Sequence, residues 1–176
     1  MVRNSFWYRK LYNETRIFMA INYDELKKFL YNANAHGYAG NSNNAVPAQR
    51  PGFLELEYKE EDWLFHDSYA GHYFAPGQEV VYFQGKPVWA MAYAGGMETQ
   101  YHGDQVTTQT VFIFLKKALR AMDPRNPYRG PASFTEGEWK YFSELTGDVQ
   151  DFTGNEMIYK GDQIMFQQNF IGGIIV

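Results

Sequence analysis

The sequence contains no cysteine. Disulfides, thiolate nucleophiles and thiolate zinc sites are therefore excluded. It lacks any apolar run near the ~20 residues that a membrane helix needs, so no membrane association is expected. A secretory leader is not expected either, because MVRNSFWYRKLYNETRIFM has no continuous apolar core. Positive charge is sparse and scattered. The longest basic runs are Lys27-Lys28 and Lys116-Lys117, and the formal net charge is −4. A nucleic-acid surface needs dense Lys/Arg to neutralise phosphates, so no direct nucleic-acid partner is expected. Catalytic motifs are missing as well: there is no phosphate loop, dinucleotide fingerprint, HExxH or G-x-S-x-G. No cofactor is expected. His66 and His72 flank a turn, but their spacing is not that of usual metal ligands, and no metal site is assigned.

What the chain has is apolar and aromatic residues, 45% and 18% of its 176 positions. That is too apolar for a disordered chain and long enough for one domain with a sizeable core. A cytoplasmic protein is expected. Residues 1–22 read as an N-terminal extension, with Met1 and Met19 both open as the start, and 23–176 as a single domain.

An internal duplication is the strongest signal. EVVYFQG, from Glu79, resembles the recognition sequence of a tag-removing protease, yet it sits mid-chain and has a counterpart in EMIYKG, from Glu156. Trp63 aligns with Trp139, Gly71 with Gly147, Glu79 with Glu156, Tyr82 with Tyr159 and Gly85 with Gly161 at near-constant spacing. LKKFL and LKKAL, then GYAG and PYRG, extend the match to a preceding helix. The halves run over about 23–98 and 99–176.

Local patterns give the elements. Asn22 and Glu25 form a capping-box pattern, and Leu26, Phe29, Leu30 and Ala33 follow at helical spacing until Gly37. GNSNNAVPAQRPG reads as a long loop. FLELEY and WLFHDSY alternate as strands, and EVVYF and VWAMAY form a hairpin turning at Gly85-Lys86. A second helix is predicted over Thr107–Met122, stopped by Pro124 and Pro127. EWKYFSEL, DVQDF, EMIY, IMFQQNF and IIV follow as strands. The fold class is α+β: a duplicated unit of one helix plus several antiparallel strands, giving a curved antiparallel sheet with two helices on one side.

Asp67 shares a strand face with Trp63, Phe65 and Tyr69. An acid on an apolar face must find a partner or bear a large desolvation penalty, so it is a ligand-binding or general-base candidate. A solvent-open face or a turn cap would account for it equally. Glu79 and Glu156 head equivalent strands and could act as an acid–base pair, although duplicated glutamates at strand starts are commonly solvated. Tyr-x-Gly recurs at Tyr38, Tyr69, Tyr93 and Tyr128. Tyrosines converging on one mouth would suit an amphipathic ligand, whereas aromatics closing elements before glycine turns would be structural. Arg50, at the end of the polar loop, could clamp an anion or pair with Glu55 or Asp67.

YAGN, RPG, LEY, D-x-Y-x-G, G-x-E-x-V, G-K-P-V-W-x-M-x-Y-x-G and PYRGP, taken together, resemble an uncharacterised bacterial domain of unknown function. That domain occurs alone or behind Xre-type helix-turn-helix segments of transcriptional regulators. The resemblance runs from about Tyr23 to Ile174 and covers Tyr38, Gly40, Arg50, Gly52, Tyr58, Asp67, Tyr69, Gly71, Glu79, Trp89, Tyr93 and Tyr128. It implies an effector-sensing or interaction module. Residues 1–22 are too short for a helix-turn-helix. The expectation is a small-molecule-binding module with Tyr38, Tyr69, Trp89 and Tyr93 lining the site and Asp67 and Arg50 orienting the ligand. A hydrolase-like enzyme using Asp67 or Glu79 is the first alternative. A protein-interaction or inhibitor domain with an aromatic surface is the second, and leaves a protein partner open.

Overall fold

The computed structural model describes residues 21–40 and 44–175. Apart from Ile21 and Asn22, the proposed extension and both candidate starts lie outside the described residues. Helix α1 spans Tyr23–His36. It starts where the capping pattern placed it, because Asn22 Oδ1 accepts from the amides of Asp24 at 2.9 Å and Glu25 at 3.4 Å. Its buried residues are the four expected ones, Leu26, Phe29, Leu30 and Ala33. Helix α2 spans Gln105–Arg120 and is capped by Asp104, which accepts from Thr107 N at 3.0 Å.

Nine strands form one antiparallel sheet among the described residues: β1 Ala45–Val46, β2 Phe53–Glu60, β3 Trp63–Ala70, β4 Gly77–Phe83, β5 Lys86–Met97, β6 Ser133–Glu136, β7 Trp139–Asp148, β8 Asp151–Lys160 and β9 Gln163–Ile174. Their order is β1-β2-β3-β4-β5-β9-β8-β7-β6. Two meanders thus meet at the β5–β9 seam. Trp63 opens β3 and Trp139 opens β7. Register slips occur at Val81/Tyr82 in one meander and Ile158/Tyr159 in the other. Across the seam Trp89 pairs with Ile174, Phe166 with Met97, and Tyr93 with Phe170 at the centre.

Both helices pack on one sheet face. The α1 residues share a buried cluster with Trp63, Phe65, Trp89 and Met91, and the α2 residues share one with Met97, Tyr141, Ile158 and Phe166. Met91 and Met97 lie on the same face of β5, by the two-residue alternation of a strand.

Several boundaries depart from expectation. The long polar segment contains β1, held because Ala45 and Val46 pair with Leu56 and Glu55. The β4–β5 turn is Gln84-Gly85, both with positive φ (50° and 74°), one residue before the predicted Gly85-Lys86. DVQDF contains the β7–β8 turn at Val149-Gln150 rather than a strand of its own. IMFQQNF and IIV are one strand, β9, running through Gly172-Gly173.

EVVYFQG lies in β4, paired on both sides by β3 and β5, and ends in the Gln84-Gly85 turn. Proteases need an extended, accessible segment, and Glu79 is buried. The folded protein is therefore expected to resist the tag-removing protease, while the denatured chain is cut after Gln84. Gel analysis under both conditions checks this, and rapid cutting of the folded chain would contradict it.

Candidate functional site

A cavity of about 420 Å³ opens on the helix side of the sheet. The turn after α1 brings Tyr38 and Ala39 to it, and α2 brings Thr108, Phe112, Ile113 and Lys116. Its rim is apolar and open: Leu54 and Ile113 are 57% and 59% exposed. Its floor is polar and buried. Asp67 from β3, Glu79 from β4, Tyr93 from β5, Gln168 from β9 and Arg129 from the segment after α2 all line it.

Alternation along the strands assembles this floor. Asp67 and Glu79 are cross-strand partners in β3–β4 and so point to the same face. Tyr93 pairs with Gly77. A Cβ at Gly77 would lie 2.3 Å from the Tyr93 hydroxyl, so only glycine lets the ring lie over β4 and donate to Asp67 Oδ1 at 2.7 Å. Arg129 donates through Nη2 to Glu156 Oε1 and through Nε to Glu156 Oε2 at 3.3 Å. Tyr141 Oη donates to the same Oε2 at 2.7 Å. The guanidinium also lies 3.8 Å from Glu79 Oε1 and 5.7–5.8 Å from the ring centres of Phe170 and Tyr93.

Three buried carboxyls therefore surround one guanidinium. Glu156 is fully satisfied, but the buried Glu79 Oε2 has no hydrogen-bond partner. Burial pushes the Asp67 carboxyl up to about 6, opposed by the Tyr93 hydrogen bond and by the charges of Arg129 and His66. Burial also pushes Glu79 well above the usual carboxylate range, aided by Asp67 and Glu156 and opposed by Arg129. Burial works against the Arg129 charge, but Glu156, Tyr141 and Glu79 outweigh it and hold the guanidinium firmly protonated.

A pH dependence follows. The folded state holds the Asp67 proton more tightly than the unfolded chain, whose Asp titrates near 3.8. Nothing is lost below that value. As pH rises from about 4 to 6 the unfolded chain gains ionisation free energy that the folded one does not, so stability falls through this window. Asp67→Asn removes the effect. Relative to wild type the variant is expected to gain on the order of 3 kcal/mol across the window, read by denaturant unfolding at stepped pH. A constant difference would show that Asp67 does not titrate there.

The residues predicted from sequence divide. Tyr38, Tyr69, Asp67, Glu79 and Tyr93 come together at the cavity, and Tyr128 joins its wall. The two glutamates that the sequence comparison paired, Glu79 and Glu156, are not solvated but 5% and 0% exposed. Arg50 is elsewhere: its Nη2 donates to Ser68 Oγ at 2.6 Å and its guanidinium sits 3.9 Å over the Phe53 ring. Ser68 faces away from Asp67, so the expected Arg50–Asp67 pairing does not form. Trp89 shares the face but not the cavity. It is fully buried against Tyr128 and Phe152, and Nε1 donates to Val149 O at 3.0 Å. His66 is held between Glu57 at 3.0 Å and Glu55 at 3.2 Å on the outer face, while His72 lines the cavity. Among the described residues no group of three or more His, Asp or Glu side chains is placed to hold a metal ion, and no helix is long and apolar enough to cross a membrane. Sequence reasoning missed Arg129 and Tyr141. The signal for Arg129 was the contrast between YRG and YAG at matched turns.

A family model described as a domain of unknown function (DUF5680) matches residues 67–175. This is more than half of the chain, and the chain belongs to that family. The match includes Asp67, Glu79, Tyr93, Arg129 and Glu156 and excludes α1 and Tyr38. No curated protein and no solved structure matches.

Proposed function

We propose that this chain is a small-molecule-binding module of the effector-sensing kind, with its ligand seated between α2 and the sheet. The observation that carries the reading is the cavity of about 420 Å³ whose floor holds a buried carboxyl oxygen, Glu79 Oε2, without a hydrogen-bond partner. Cavities of this size, apolar with a few convergent polar groups, suit small ligands, and an unpaired buried polar atom is a standing penalty that a ligand donor would remove. Internal duplication of a helix and a meander belongs to the same proposal. It is supported by the matched register slips and by the exchange of partners across the seam. The halves differ where the site lies, and the sheet's curvature around it and a cytoplasmic location are parts of the same reading.

The test is a thermal-shift screen of a metabolite library against wild type and Gln109→Trp, a change at an exposed helix position on the cavity wall. A true ligand at about 100 times its Kd stabilises by about 2.7 kcal/mol, and the tryptophan should abolish that gain. If no compound raises the melting temperature, or if the variant responds equally, the binding site is not this cavity.

A second reading, an acid–base enzyme of hydrolase type, is favoured by the cross-strand Asp67–Glu79 pair, in which burial raises both carboxyls above the usual carboxylate range. It requires that the bound compound be consumed, and that Asp67→Asn stop turnover while binding survives.

A further inference from the structure

We propose that the ligand carries a guanidinium or primary ammonium group on an apolar stem, and that this cation docks on Glu79 in the place that Arg129 takes on Glu156. The inference deepens the binding reading above and rests on it.

The argument compares the two halves. After α2 the chain runs Tyr128-Arg129-Gly130, and after α1 it runs Tyr38-Ala39-Gly40. Glu156 and Glu79 precede the matched register slips of β8 and β4. Tyr141 and Phe65 are the third residues of β7 and β3. In the second half Glu156 therefore has both an arginine and a tyrosine hydroxyl as donors. In the first half the corresponding residues are Ala39 and Phe65, which offer Glu79 neither. Ala39 and Glu79 both line the cavity. The space that an arginine at position 39 would fill is thus part of the cavity, and Glu79 Oε2 is left without a partner.

Charge selects the ligand class. The floor groups facing Glu79 are Asp67 from β3, Tyr93 from β5, Glu156 from β8 and Arg129 from the segment after α2. An anion would add negative charge beside three carboxyls that share one guanidinium, two of which burial already makes harder to ionise. A neutral apolar ligand would leave Oε2 unpaired in a drier site, which is costly. A donor cation satisfies it with a charge-assisted bond. Arg129 does not compete for that oxygen, since its nearest approach to Glu79 is to Oε1 at 3.8 Å. Lys116, whose ammonium lies 4.6 Å over the Tyr38 ring, and His72 also line the cavity. They set the orientation, cation inward and stem along Tyr38, Tyr69, Phe112 and Ile113. Because burial raises the Glu79 carboxyl above its usual range and a docked cation favours its ionised form, affinity rises with pH.

The experiment is calorimetric titration with n-hexylguanidinium, n-hexylammonium and the neutral control 1-hexanol, at mildly alkaline pH. Both cations are expected to bind at least about tenfold more tightly than hexanol. Glu79→Gln should remove that preference while hexanol binding changes less than about twofold. Ala39→Arg, which places the missing guanidinium in the chain, should abolish cation binding and raise the melting temperature. If Glu79→Gln also loses hexanol, Ala39→Arg alone decides. Equal affinity for cations and hexanol, or cation binding undiminished in Ala39→Arg, overturns this inference and leaves the binding reading standing. Failure of these probes and of every library compound overturns both.

Discussion

Arg129→Met is expected to lower folding stability by about 3–5 kcal/mol at neutral pH, the cost of leaving a buried partner charge uncompensated. The methionine keeps an unbranched apolar side chain and removes the guanidinium together with its approach to Tyr93 and Phe170. Glu156, fully buried, keeps only the Tyr141 hydroxyl, and Glu79 and Asp67 lose the cation that lowers both. The carboxyls respond by taking up protons, so the loss should shrink as the pH falls toward 5. Adding Glu156→Gln should recover part of it. Denaturant unfolding of the single and double variants measures all three effects. An equally large, pH-independent loss in both would mean that Arg129 acts through packing alone.

Trp89→Ala should lower stability by about 3–5 kcal/mol, in the range for truncating a large buried aromatic. Trp89 packs beneath α1 against the stacked pair Tyr128 and Phe152, and its indole satisfies Val149 O in the β7–β8 turn. Trp89→Phe keeps most of the packing and should lose less. Trp89 meets the cavity wall only through Tyr128 and does not approach the Glu79 floor, so the ratio of cation to hexanol affinity in Trp89→Phe should match wild type. A changed ratio would return Trp89 to the ligand site that its sequence neighbourhood suggested.

The contrast between Trp89 and Asp67 shows what a sequence can carry. Alternation identifies a face: it put Asp67 and Tyr69 on the face of Trp63 and Phe65, and that face is the one the helices cover, while Tyr93 came from the Tyr-x-Gly pattern instead. It does not say how far along a strand the covering helix reaches. Trp89 therefore fell under α1 and Tyr93 beside the cavity, although both belong to the same face of β5. Arg50 failed for the opposite reason: it reaches Ser68, one residue from Asp67, and one residue along a strand is the other side of the sheet. Strand β6 was not legible because SFTE is short and mostly exposed, and it exists through its pairing with β7. Strand β9 was split at its glycines, which read as breakers. A Cβ at Gly172 would meet Ala90 O at 2.5 Å and one at Gly173 would meet Gln150 O at 2.2 Å, so these glycines mark close backbone approach rather than an end. Arg129 was hidden because its meaning lies in a glutamate two strands away.

The β5–β9 seam has a consequence in time as well as in space. Each meander is built from hairpins between neighbouring strands, whose loops close in microseconds. The seam joins residues from opposite halves of the chain, so the entropy of closing a long loop is concentrated there. Refolding rate should therefore respond more to Phe170→Leu, at the seam's centre, than to a change of equal stability in a hairpin. Before closure, β5 and β9 each expose an edge whose natural partner is the other, and such an edge also accepts the strand of another molecule. Refolding at rising protein concentration is then expected to divert a growing fraction into strand-exchanged dimers, two chains each completing the other's sheet.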